Sequence, residues 1–327
     1  MEGSPLVAHC PTVQCLPVRA SPSVEAVIAA VASRREPAVL DSANTTTAYG
    51  RYTIVTADPV ETVSWRADEQ DPFEAMRHHL ERTRMDTKNV QDMPAHLGFP
   101  CGWIGYFAYE AGYHIEPTAR SHIQREPSTV GYKNQGARDD LGLPIARFAL
   151  YDTAAIHDAQ TGRWTLVAVD LQGCSEAAAN RPSIADRLAE WTDILCNAKP
   201  KPLPSNPPPT TPQDNMTRED YLAMVTRAKE YIAAGDIFQV NLARRQTFPI
   251  NESPATTYLR LRQTNPGAYA AFLAWSDPPQ DQPVSIVSSQ DASLPPNDQH
   301  PAKSRSASNQ VAILSASPEL LDRKSVV

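Results

Sequence analysis

RFALYDTAAIHD at 147–158, followed closely by GRWTLVAVD at 162–170, is the stretch whose reading decides the fold. The two runs are rich in β-branched and aromatic residues and are separated by Gln160-Thr161-Gly162, a turn chemistry that joins antiparallel strands. Upstream, RYTIVTA (51–57) and VETVSW (60–65) alternate in the same way about Asp58-Pro59 and read as a pair of strands. PAVLDSA (37–43) is an apolar strand ending in polar residues. GWIGYFAYEAGY (102–113) is aromatic and studded with glycine, which suits a strand approached closely by other backbone.

Helices fill the spaces between these runs. A short one is expected over 24–32, and another from Asp71-Pro72 to about Arg84, with Pro72 suited to the first helical position. Residues 175–196 are alanine-rich and helical, interrupted early by Pro182. Residues 1–23, with four prolines, read as loose. Seven prolines in KPKPLPSNPPPTTP (199–212) fix the chain as extended polyproline and mark a boundary. Beyond it, Thr217 caps a helix over 218–234 whose apolar face carries Tyr221, Met224, Val225, Ala228, Tyr231 and Ile232, and Gly235 ends it.

The next segment, 237–248, alternates as a strand would. Phe238, Val240 and Leu242 lie on one face, and Gln239, Asn241 and Ala243 on the other. A helix after Ser253-Pro254 and strands at 268–275 and 311–317 complete the pattern, around a polar insertion at 276–310 that reads as disordered. The expected organisation is a loose start (1–23), a first domain (24–198), a linker (199–215) and the start of a second domain (216–327).

Composition excludes several roles. The net charge is −7 and no basic block runs along the chain, so nucleic acid and anionic membranes are not expected partners. No run approaches the roughly 20 apolar residues of a spanning helix, and the N-terminal stretch has no signal-peptide pattern. Five scattered cysteines without a CxxC fit a reducing, cytoplasmic setting and no cysteine metal site.

Few residues point to chemistry by themselves. His78 and His79 are adjacent on a charged helix and do not share a face, so they read as solvated rather than as metal ligands. Trp103, Tyr106, Phe107, Tyr109 and Tyr113 read as core, and Glu110, Asp139 and Asp140 as loop charges. Two segments say more. AGDIFQVNLARR (234–245) stops a helix and presents Gln239 and Asn241. ILSASPEL (313–320) delivers Glu319 at the end of an apolar strand, where partial desolvation raises a carboxyl towards proton transfer at neutral pH.

These two segments, with NPGAYAAFL (265–273), LDSA (40–43), RYTIVTADP (51–59), CGWIGYFAYE (101–110) and ARFALYDTAAIHD (146–158), resemble in wording and order component I of the chorismate-utilising synthases. That group includes anthranilate synthase and aminodeoxychorismate (para-aminobenzoate) synthase. The resemblance covers about 25–320, and QVNL at 239–242 tilts it to the aminodeoxychorismate branch of folate biosynthesis.

The resemblance implies an α+β fold, two antiparallel sheets packed as a sandwich with outer helices and incomplete at its C-terminus. It implies amination of chorismate with ammonia from a glutaminase subunit, and Mg²⁺ on the substrate carboxylate, with the metal ligands absent from this chain. Glu319 matches the general acid/base of the family's SPERF motif, although Leu320 stands where the family has arginine. The family's PIKGT lysine has no counterpart before Val327, so the chain alone is expected to lack activity. An amino-acid pocket, for tryptophan or a similar ligand, is implied between Leu40, Asp41, Ser42 and Ala43 and Asn265, Pro266, Gly267, Ala268 and Tyr269, with Arg51 and Tyr52 alongside. Anthranilate synthase component I and a non-catalytic module for an amino acid or a partner protein are the alternatives.

Overall fold

The computed structural model describes residues 12–44, 50–67, 69–84, 101–118, 141–205, 210–277 and 309–317. Their fold is mixed α+β with antiparallel sheets, as the hairpin at 147–170 requires. In chain order the larger elements are β1 (Val13–Val18), α1 (Val24–Val31), β2 (Ala38–Asp41), β3 (Tyr52–Thr56), β4 (Glu61–Trp65), α2 (Pro72–Arg82), β5 (Gly102–Phe107), β6 (Ala146–Tyr151), β7 (Thr153–Asp158), β8 (Arg163–Val169) and α3 (Ile184–Asn197). Then come β9 (Gln213–Asp214), α4 (Arg218–Ala234), β10 (Gln246–Thr247), α5 (Pro254–Thr264), β11 (Tyr269–Asp277) and β12 (Asn309–Ser317).

A seven-stranded sheet runs β1-β8-β7-β3-β2-β11-β12, and a three-stranded sheet runs β4-β6-β5. Alternation gives the large sheet two apolar faces. On one face Val39, Val55, Trp164, Leu166 and Phe272 pack against α1, α3 and α5. On the other, Ala38, Leu40 and Leu273 meet Ile104, Ala149 and Tyr151 of the small sheet.

Two expectations about strand pairing are corrected. RYTIVTA and VETVSW are not partners: β3 pairs with β2 and β7, while β4 pairs with β6 in the other sheet. The chain crosses between sheets at Asp58, whose φ is +56° and whose carboxylate is held by Arg34 and the Arg35 N–H. Likewise 147–158 is two strands, not one. Tyr151 pairs with Gly102 in the small sheet, and Thr153 with Ala168 in the large one. The switch residue, Asp152, keeps one backbone bond to β8, from the Val169 N–H at 2.8 Å, and is otherwise held by arginines. Arg181 grips its carboxylate with two bonds of 2.8 Å, and the buried Arg187 donates to its carbonyl at 2.8 Å. A period-two pattern cannot show such a switch, because it runs through Asp152 unbroken.

The N-terminal stretch is also corrected. Val13–Val18 is a strand paired along its whole length with β8, and Pro17 is tolerated because β1 is an edge. Residues 237–245 form no strand; Phe238 is 92% exposed, and only Gln246–Thr247 pairs, with Gln213–Asp214. Alternation alone does not make a strand where no edge receives it. β11 and β12 do form, and they join the large sheet through β2, so that sheet takes strands from both sides of the proline segment. The insertion expected at 276–310 lies, apart from its strand-forming ends, outside the described residues.

Candidate functional site

The sheet register brings LDSA and NPGAY together. Asp41 of β2 lies opposite Ala270 of β11, the Ser42 hydroxyl donates to the Ala268 carbonyl at 3.2 Å, and the Asn44 N–H donates to the Gly267 carbonyl at 3.3 Å. Gly267 is needed there: a Cβ would stand 2.7 Å from the Ser317 carbonyl oxygen of β12. Leu40 points away into the intersheet core.

Asp41 is the centre of the arrangement. Its side chain is fully enclosed. One carboxylate oxygen accepts from Thr53 Oγ1 at 2.8 Å; the other accepts from the Tyr258 hydroxyl at 2.9 Å and from Arg262 Nε at 2.7 Å. Arg262 reaches on to Glu25 in the first turn of α1. A buried carboxylate needs such compensation, and here four elements, β2, β3, α1 and α5, are tied through it. Burial pushes the Tyr258 phenol well up, with Asp41 acting in the same sense. Burial alone would lower Arg262, but Asp41 and Glu25 more than offset it and raise it.

Arg51 and Tyr52 sit on the neighbouring strand and serve a different group. Arg51 makes a two-pronged pair with Asp158, at 3.0 and 2.9 Å, and its guanidinium lies 4.8 Å from the centre of the Tyr52 ring. The Arg51 bonds, with help from the Gln160 N–H, hold the Asp158 carboxyl down at about 2. Asn265 closes α5, and Pro266 beside it is exposed. The expected residues therefore gather at one end of the large sheet, but the acid among them is saturated by the protein itself.

Tyr258, Arg262, Glu25 and Thr53 were not singled out from the sequence. The legible signal is the i, i+4 spacing of Tyr258 and Arg262, which puts a phenol and a guanidinium on one helix face. Gln239 and Asn241 come together with none of these; both are exposed on the segment after α4. Glu319 lies outside the described residues. His78 is solvated as expected, whereas His79 is three-quarters buried between Trp65 and Trp103. Among the described residues no group of three or more His, Cys, Asp or Glu could hold a metal ion, and no helix is long and apolar enough to cross a membrane.

Residues 35–285 match the model of a family described as chorismate binding enzyme. The chain is 27% identical over 261 residues to aminodeoxychorismate synthase component 1 of Bacillus subtilis, covering 75% of this chain and 49% of that protein. It is 27% identical over 252 residues to anthranilate synthase alpha subunit 1, chloroplastic, of Arabidopsis thaliana, covering 68% of this chain and 40% of that protein. It is 31% identical over 229 residues to anthranilate synthase component 1 of Thermus thermophilus, covering 68% and 42%. The chain thus spans half or less of the length of these relatives. Among solved structures, anthranilate synthase component I from Streptococcus pneumoniae aligns with a TM-score of 0.46 and 19% identity, over 69% of this chain and 50% of that one.

Proposed function

The chain belongs to the family of chorismate-binding enzymes, and from that membership we propose that it acts as component I of an aminodeoxychorismate synthase. In this reading ammonia from a glutaminase subunit replaces the ring hydroxyl of chorismate, and the reducing cytoplasm is the setting. The supporting observation is the B. subtilis relative, whose match extends over 75% of the chain. The wording QVNL at 239–242 supports the same branch. Gln239 and Asn241 are exposed and so are accessible to a ligand. Glu319 is assigned general acid/base work at the ring. Because the chain spans less than half of the relatives' length, turnover is assigned to the family's full length, and this chain alone is expected to be inactive. The described residues do not fit a Mg²⁺ site.

Anthranilate synthase component I is the second reading. The Thermus relative, at 31% identity, favours it. The test is to give chorismate and ammonium to a version of the protein restored to the family's full length and to separate the products, with calorimetry on chorismate in parallel. Aminodeoxychorismate supports the first reading and fluorescent anthranilate the second. Neither product, together with no heat at millimolar chorismate, would count against both. Tryptophan at the junction of 40–43 with 265–269 has its own check: absence of heat and of a thermal shift at millimolar ligand removes it.

A further inference from the structure

Helix α2 covers the outer face of the small sheet. Met76 packs on Trp65, Ala146 and Phe148, and Asp71 caps the helix at its start. One turn before its end, His79 enters a slot between two tryptophans. Its ring lies 5.9 Å from Trp65 of β4 and 5.3 Å from Trp103 of β5, edge-on to each. The polar rim of the slot is closed by a chain of contacts. Nδ1 of His79 is 3.0 Å from Nη2 of Arg82, and Arg82 is paired with Glu61 of β4. Glu61 also accepts from Ser175, after β8, and its nearer oxygen is 3.5 Å from His79 Nδ1. Trp103 Nε1 donates to Thr83 Oγ1 at 2.9 Å, just past the helix.

This geometry depends on the protonation state of one atom. Arginine can only donate, so a bond from Arg82 requires a lone pair on Nδ1. A proton there converts the acceptor into a donor facing a permanent cation. We propose that His79 is a pH-sensitive latch: the neutral ring fastens α2 to the small sheet, and the protonated ring releases it. The charged and titratable groups around the ring are Arg82 and His78 on α2 and Glu61 on β4, with the Cys174 thiol near Arg82 on the segment after β8; β5 contributes only Trp103. Glu61 is the one group favouring the proton, and the oxygen nearest His79 is shared with Arg82. Burial, followed by Arg82, pushes the imidazole below its ordinary value. The latch is therefore closed at neutral pH, and it opens as pH falls below the ordinary histidine range of about 6.5.

The slot contains its own reporters, because release of the helix opens Trp65 and Trp103 to water, which weakens their emission. His157 against Trp164, at 4.9 Å, is a second histidine–tryptophan pair, so the signal is read as wild type minus His79→Gln. Between pH 7.5 and 5 the wild type is expected to lose tryptophan emission that His79→Gln retains, whereas His78→Gln should behave as wild type. Amide exchange over 72–82, corrected for its intrinsic pH dependence, should lose protection across the same interval. Arg82→Met, which keeps the histidine, should move the transition to higher pH. A quenching step that survives in His79→Gln overturns the proposal. So does a step unmoved by Arg82→Met, or quenching without loss of protection in α2.

Discussion

Helices α5 and α4 lie on the same side of the proline segment, and they are held in different ways. α5 is short, 11 residues, yet Tyr258 is completely buried and Arg262 is bonded to Asp41 across 221 residues of sequence. α4 is 17 residues long and has a capping box at Thr217 and Asp220 and a left-handed Gly235 at its end, yet none of its residues is buried. One helix is specified by what it touches and the other by its own ends. Local signals suffice to start and stop a helix, but docking depends on partners that local signals do not encode.

The sharpest way to break the comparison is at Asp41. Asp41→Ala leaves the largely buried Arg262 with Glu25 as its remaining acidic partner and should cost about 3 kcal/mol, read as a fall in the denaturant midpoint. Asp41→Leu with Arg262→Met, which removes both charges, should recover most of that loss. If the double variant is no better than the single, the network is not the docking device. Next in size is the α4 cap. Thr217→Ala should weaken that helix by about 1 kcal/mol, seen as faster amide exchange over 218–234 while the main melting transition stays in place. A shift of the main transition would show that α4 is coupled to the core after all. Phe238→Ser, at a side chain 92% exposed, should change stability by less than about 0.5 kcal/mol while reducing binding of apolar dyes.

The smallest effect belongs to the Arg51–Asp158 pair at the sheet end. Asp158 titrates near 3.9 when unfolded and at about 2 in the fold. Its contribution is therefore complete above about pH 4 and is lost as pH falls through about 2. Arg51→Met should flatten that acid-side slope, costing a few tenths of a kcal/mol above about pH 4, as expected for a partly exposed pair, and leaving stability below about pH 2 unchanged.

How much of this was legible follows from the same contrast. Thr217 and Gly235 gave both ends of α4, and Gly162, with φ +67°, turns the β7–β8 hairpin where the sequence places it. Those features are decided within a few residues. The sheet switch at Asp152 was invisible because the arginines that hold it come 29 and 35 residues later. β1 was hidden by Pro17, whose cost depends on whether the strand is at an edge, a property of the assembled sheet. The alternation of 237–245 promised a strand but found no neighbour. At the candidate site, the motif words brought the right segments together. They did not reveal that Asp41 is already bonded by the protein, since the i, i+4 spacing of Tyr258 and Arg262 does not say which acid they face.

The pairing of β2 with β11 also bears on how the protein is made. Ala38–Asp41 cannot meet Ala270–Leu273 until the chain between them has been synthesised. At the usual pace of the ribosome, those 229 residues from Asp41 to Ala270 take roughly 10–50 s. Throughout that time one edge of β2 waits without a neighbour, and once Val169 has been made β3, β7 and β8 can associate. Such a nascent sheet is a natural client for a chaperone that shields strand edges. A ribosome pause just after the proline segment would lengthen the wait, and one before residue 38 would not.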